Sequence, residues 1–136
     1  MQNKLSDDKA IFLQIKEGIE IDILGGILRA HQQIPSANQI AMFYGVNPIT
    51  VKNSFRLLSD EGTIYKKRGL GMYVSPEAVE ILSKKYREGL SKEYGKPLVE
   101  RAKLLKISKE ELFGIVENIW YEMDQIWEER EQNAPY

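Results

Sequence analysis

The chain of 136 residues has no cysteine and a single histidine, His31. Without thiols there is no disulfide framework, no thiolate metal site and no cysteine nucleophile. One histidine in a connecting stretch supplies neither a catalytic pair nor a metal-ligand cluster. No apolar run approaches the roughly 18 residues needed to cross a bilayer. The opening MQNKLSDDKAIF lacks the cationic start and apolar block of a secretory signal, so the expected compartment is the cytoplasm. No phosphate-cradling glycine loop follows a buried strand, because Gly69-Leu70-Gly71 stands between two β-favouring triplets and reads as a hairpin turn. These absences argue against an enzyme and predict no cofactor and no metal.

A large excess of one charge is also lacking, with a formal net charge of −1. The distribution is uneven, however. Residues 1–75 hold nine Lys/Arg against seven Asp/Glu, and residues 76–136 hold ten against thirteen. Within 46–75 five cations (Lys52, Arg56, Lys66, Lys67, Arg68) meet two anions (Asp60, Glu61). With a Debye length of about 8 Å, such a patch can hold phosphate despite an acidic remainder. An apolar content of 43% with 29% charged residues suits a folded domain of one modest core plus an appended element.

The patch lies on a recognisable local pattern. Asn47 is a side-chain cap and Pro48 takes the first helical position, where a missing N–H costs nothing. Val51, Phe55 and Leu58 then fall on one face, leaving Thr50, Lys52, Asn53 and Arg56 on the others. Gly62 stops this helix in a position suited to the left-handed conformation. Thr63-Ile64-Tyr65 and Met72-Tyr73-Val74 predict a two-stranded ribbon, closed by a basic loop from Lys66 to Gly71.

Upstream, Ile11, Ile15, Ile19, Ile23 and Ile27 recur every four residues and predict an amphipathic helix ended by Gly25-Gly26. Gly18, Glu17, Glu20 and Asp22 read as its exposed face, and Arg29 to Ile34 as a connecting turn. Ser36 caps a second helix that packs through Ile40, Ala41 and Phe43 and stops at Tyr44-Gly45. Two helices joined by a tight turn and followed by a hairpin predict a winged helix-turn-helix.

After Val74, Ser75-Pro76 opens a helix striped by Val79, Leu82, Tyr86 and Leu90 and ending near Tyr94-Gly95, with Pro97 restarting the chain. Ser108 and Glu111 form a capping-box pattern for the last helix. There Leu112, Val116, Ile119, Met123 and Ile126 alternate four and three apart, beside a second stripe of Phe113, Trp120 and Trp127. One helix with two apolar stripes needs two neighbours, and a symmetry mate is expected to be one of them. The predicted dimer interface is therefore Leu112, Val116, Ile119, Trp120, Met123 and Ile126. The expected architecture is mainly α with a small β-hairpin: a winged domain over 1–75 and a helical dimerisation region over 76–136.

Several of these segments carry a resemblance. IFLQI near the start, IPS at 34–36, IA at 40–41, GVNPITV at 45–51, DEGTI at 60–64 and RGLGMYV at 68–74 resemble, in order and spacing, the DNA-binding domain of the GntR family of bacterial transcription regulators. The Asn-Pro-x-Thr-Val turn is similar to that of the YtrA-like branch, whose members carry a short helical tail, and LVERAKLLKISKEELFGIVENI fits that branch's dimerising helices. The resemblance implies a dimeric repressor on an inverted-repeat operator, with control of a transporter operon common in the branch. Three departures stand out. Asn38 replaces the arginine two residues past the capping serine; His31 stands where a glycine usually takes positive φ; Pro48 and Ile49 occupy positions that often carry arginine or serine.

The predicted DNA-contacting set is Ser36, Asn38, Asn47, Thr50, Lys52, Asn53, Arg56, Lys66, Lys67, Arg68 and Gly69. Thr50, Lys52 and Asn53 are assigned to base edges or nearby phosphates, and Ser36, Arg56, Lys66, Lys67 and Arg68 mainly to the backbone. The expected partners are double-stranded DNA and a second copy of the chain; no residue pattern names an effector. The rival reading is a winged helix turned protein-interaction module, to which Asn38 and the acidic tail lend themselves. Salt separates the two, since DNA binding weakens steeply with it.

Overall fold

The isoleucine repeat nucleates the first element. The computed structural model describes residues 4–6 and 9–133, so the stretch read for a signal lies partly outside the described residues. Helix α1 runs Ile11–Leu24 and buries Ile15, Ile19 and Ile23 completely. Its polar side is also enclosed, contrary to the sequence expectation: Gly18 and Asp22 are buried, and Glu20 has no exposed surface. Charge pairing makes this tolerable. The Lys16 ammonium lies 3.6 Å from Glu20 and 2.9 Å from Glu61, at the end of α3, so a buried carboxylate has a cation beside it. Gly18 is covered by Tyr44, whose hydroxyl would stand 3.6 Å from a Cβ there. The Gln14 amide also turns inward, bonding Ser6 and Lys9 carbonyls at 2.7 and 2.6 Å.

Helix α2 (Ala37–Tyr44) begins with a full capping box, in which Ser36 Oγ accepts the Gln39 N–H and Gln39 Oε1 accepts the Ser36 N–H. Ile40 and Ala41 are buried, but Phe43 is 55% exposed. At 100° per residue, Tyr44 and not Phe43 shares the Ile40 side, so Tyr44 takes the packing place and Phe43 rests edge-on against its ring at 4.9 Å. Gly45 and Val46 turn the chain into α3 (Pro48–Asp60), which packs on both α1 and α2.

Past α3, Gly62 adopts φ +83° and the chain enters an antiparallel hairpin of β1 (Ile64–Lys67) and β2 (Gly71–Val74). Lys66 and Lys67 thus belong to a strand, and the connecting loop is only Arg68–Leu70. The 31–34 stretch is more than a turn: His31 and Ile34 donate N–H bonds to Val74 and Met72, and Val74 donates back to Gln32. It lines β2 as a short third segment, and its Ile34 joins Leu28 in a core that includes Val51, Leu58, Ile64, Val74 and Leu82.

Helix α4 (Ala78–Leu90) starts two residues beyond Pro76. The helix does not end at Tyr94-Gly95. It widens into a π turn over Ser91–Gly95 and continues as α5 (Lys96–Leu104). The Lys96 N–H bonds to Ser91 five residues back, and Pro97, which has no N–H to donate, stands in the first turn of α5. Lys106, at φ +56°, reverses the chain before α6 (Lys109–Gln132), capped by Ser108 Oγ on the Glu111 N–H. The fold is mostly helical with one two-stranded hairpin. It divides into two compact units, one ending at Ser83 and one starting at Lys84.

Candidate nucleic-acid interface

The capped start and one-sided packing of helix α3 leave it a free face. Val51, Ser54, Phe55 and Leu58 are buried. Ser54 Oγ donates to the Phe12 carbonyl of α1 at 2.5 Å, fixing the rotation of α3 about its axis. At 100° per residue the direction opposite this buried side is occupied by Ile49, Asn53 and Arg56, spaced four and three apart. All three are exposed. Lys52 is exposed on one flank, and Thr50 on the other is half-buried. Ile49, missing from the sequence-derived set, therefore stands at the middle of the outward face. A helical wheel centred on the buried positions could have found it.

The turn before α3 is rigid. Asn47 Oδ1 accepts the Ile49 N–H at 2.9 Å, leaving the Asn47 amide nitrogen as an outward donor. Across the turn, Ser36 and Asn38 are exposed at the start of α2. The capping box commits the Ser36 hydroxyl as an acceptor and leaves its own proton free to donate. At the other end of α2, burial, reinforced by the Asp22 carboxylate, pushes the Tyr44 phenol up to about 12.

The hairpin separates cations that the sequence groups together. Tyr65 pairs directly with Tyr73, and the two rings stack at 5.9 Å. Lys67, two residues on, shares their side and holds its ammonium 4.3 Å from the Tyr73 ring centroid. Lys66 projects from the other side of the strand. His31, at φ +64°, reaches the same edge and places Nδ1 3.2 Å from the Tyr65 hydroxyl. The Arg68-Gly69-Leu70 tip is braced by Gln33, whose Nε2 donates to the Leu70 carbonyl at 2.6 Å. Gln33 carries no sequence signal for this role. Glu61, one of the two anions of the motif, is taken up by Lys16.

In the second unit the apolar stripes of α6 lie largely open. Leu112 is half-buried, while Phe113, Val116, Ile119, Trp120, Met123, Ile126 and Trp127 are exposed. Leu98 and Val99 of α5 join Leu112, Phe113, Val116 and Trp120 around an apolar groove of about 440 Å³. Among the described residues no His, Cys, Asp or Glu cluster could hold a metal ion, and no helix is long and apolar enough to cross a membrane.

Residues 12–74 match the family model described as "Bacterial regulatory proteins, gntR family". The chain is 28% identical over 112 residues to an uncharacterized HTH-type transcriptional regulator, YhcF, of Bacillus subtilis, covering 82% of this chain and 91% of that one. It is 33% identical over 72 residues to the HTH-type transcriptional repressor YtrA of the same organism, covering 53% of this chain and 55% of the relative. A crystal structure of a GntR-family putative transcriptional regulator from Bacteroides thetaiotaomicron superposes with a TM-score of 0.60 at 33% identity, over 85% of this chain and 97% of that one. These relatives are regulators and not enzymes. A winged helix with a free, capped α3, in a chain of which 85% superposes on a solved GntR-family regulator, makes this protein a YtrA-like DNA-binding member of the GntR family.

Proposed function

We propose that the chain acts in the cytoplasm as a homodimeric repressor that binds an inverted-repeat operator. The observation that carries the DNA-contact map is the one-sided packing of α3: with Val51, Phe55 and Leu58 inward, exposed Lys52, Asn53 and Arg56 are left for the major groove. Asn53 and Lys52 reach base edges or nearby phosphates, with the half-buried Thr50 at the margin. Ser36, Asn38, Asn47 and Arg56 fix the backbone register, and Lys66, Lys67, Arg68 and Gly69 meet the flanking backbone or minor groove.

Dimerisation is supported by α6, whose Leu112, Val116, Ile119, Trp120, Met123 and Ile126 present more apolar surface than a single chain covers. The tail from residue 76 is the dimerisation region and residues 1–75 the DNA-binding domain in this reading. A two-fold pair would set its recognition helices roughly 34 Å apart, one turn of duplex. Binding selection of the purified full chain against fragments of its own genome, at two salt concentrations, tests the reading. Enrichment of an inverted repeat that weakens steeply with salt is the expected result, and the enriched fragments name the regulated genes, a transporter operon being the target the family resemblance implies. Salt-insensitive capture or no enrichment refutes operator binding and favours a protein-interaction module.

A further inference from the structure

The first turn of α3 carries no charged side chain. Pro48, Ile49 and Thr50 follow the Asn47 cap, and Thr50 is half-buried. The position closest to the middle of the outward face is held by Ile49, with 65% of its surface exposed. Its placement is fixed in three ways. Pro48 sets the entry dihedral, Asn47 Oδ1 pins the Ile49 N–H at 2.9 Å, and a β-branched side chain in a helix has one strongly preferred χ1. The result is a rigid apolar knob at the leading end of the helix, in line with Asn53 and Arg56. Helices that read DNA contact base edges with their N-terminal residues. In the major groove the apolar feature offered by the bases is the C5-methyl group of thymine.

Resting on the DNA-binding reading above, we propose that Ile49 is a specificity-determining residue that packs against a thymine methyl in each half-site. Reading at this point is by shape and apolar contact, in place of the bidentate guanine contact a long cation would make. Asn53, one turn further along the same stripe, has the donor and acceptor geometry that suits an adjacent adenine. Each half-site should therefore contain an A·T pair under the start of α3.

The test uses the full chain and duplexes enriched from a random-sequence pool by the wild-type protein. The thymine common to both half-sites is then replaced by deoxyuridine, which removes the methyl and nothing else. Affinity should fall by about threefold to fourfold per half-site, the worth of one buried methylene-sized group, and by roughly tenfold with both replaced. Ile49→Ala should bind thymine and uracil duplexes equally, while Ile49→Val keeps most of the discrimination. Because Ile49 is exposed, both variants should melt with the wild type. Equal binding of both duplexes by the wild type overturns the inference and leaves DNA binding standing. So does full discrimination retained by Ile49→Ala, because another group then reads the methyl. No enriched duplex at low salt overturns the DNA-binding reading itself.

Discussion

The brace under the wing gives a prediction whose size follows from two glycines in one turn. Gly69 and Gly71 both have positive φ, +77° and +110°, so an alanine at either pays a backbone cost of about 1–2 kcal/mol. Their surroundings differ. A Cβ on Gly69 meets nothing within 4 Å, whereas one on Gly71 comes within 2.9 Å of Gln33 Nε2. The Gln33 amide is the end of a flexible side chain and can swing away. Doing so forfeits its 2.6 Å bond to the Leu70 carbonyl, worth about 0.5–1.5 kcal/mol. Gly71→Ala should therefore destabilise by about 1.5–3.5 kcal/mol, more than Gly69→Ala by the value of that bond. Gln33→Ala alone should lose the bond and cost little more in the Gly71→Ala background, a coupling of roughly 1 kcal/mol in a double-mutant cycle. Urea unfolding of the four proteins at neutral pH measures this, with unchanged slopes confirming that the denatured state is the same. Additive effects of Gln33→Ala and Gly71→Ala would refute the brace, as would equal costs at Gly69 and Gly71.

Further outcomes follow from other parts of the fold. Ser36→Ala removes the acceptor of the α2 capping box and should destabilise by about 0.5–2 kcal/mol in the same urea assay; no change would show the cap to be redundant. Tyr44 keeps its proton in the folded protein up to about pH 12, whereas the unfolded chain releases it near 10. The unfolded state thus binds fewer protons in that window, and stability must fall as pH rises through it. Melts at about pH 9 and pH 11 should show wild type losing more stability than Tyr44→Phe, and parallel losses would contradict the burial of the phenol. Ile119→Glu places a charge in the proposed seam of α6 and should yield monomers by light scattering; a persistent dimer would exclude that seam.

Much of the fold was legible because periodicity and punctuation agreed. The isoleucine repeat, the Asn47-Pro48 start, Gly62 and the two β triplets each mark an element that the structure contains. His31 does take positive φ, as its alignment with a family glycine implies. The failures share a cause: hydrophobic period reports one packing face and is silent about charge pairing and about side chains from distant segments. Glu20 and Asp22 looked solvated because nothing in α1 alone shows that Glu61 and Tyr44 close over that side. The proline at 97 looked like a break, yet it stands in the first turn of α5, directly after the π turn that joins α5 to α4. On α3, listing polar residues picked out Lys52, Asn53 and Arg56, which the fold leaves exposed, and passed over Ile49, which is equally exposed and lies between them in angle but is apolar. The wing cations are adjacent in sequence and opposed in space, since strand alternation sends Lys66 and Lys67 to different sides.

DNA binding by α3 and the wing is tested most directly by the salt dependence of binding to a genome-selected duplex, measured by fluorescence anisotropy for the wild type, Lys52→Ala and Arg68→Ala. Wild-type affinity should decline steeply with salt, and each variant should lose about 1–3 kcal/mol, with the slope reduced by about one unit wherever the lost contact is to phosphate. Both variants should unfold with the wild type, since both side chains are exposed. Affinity and slope unchanged in both variants would contradict the assignment of α3 and the wing as the DNA-binding surface.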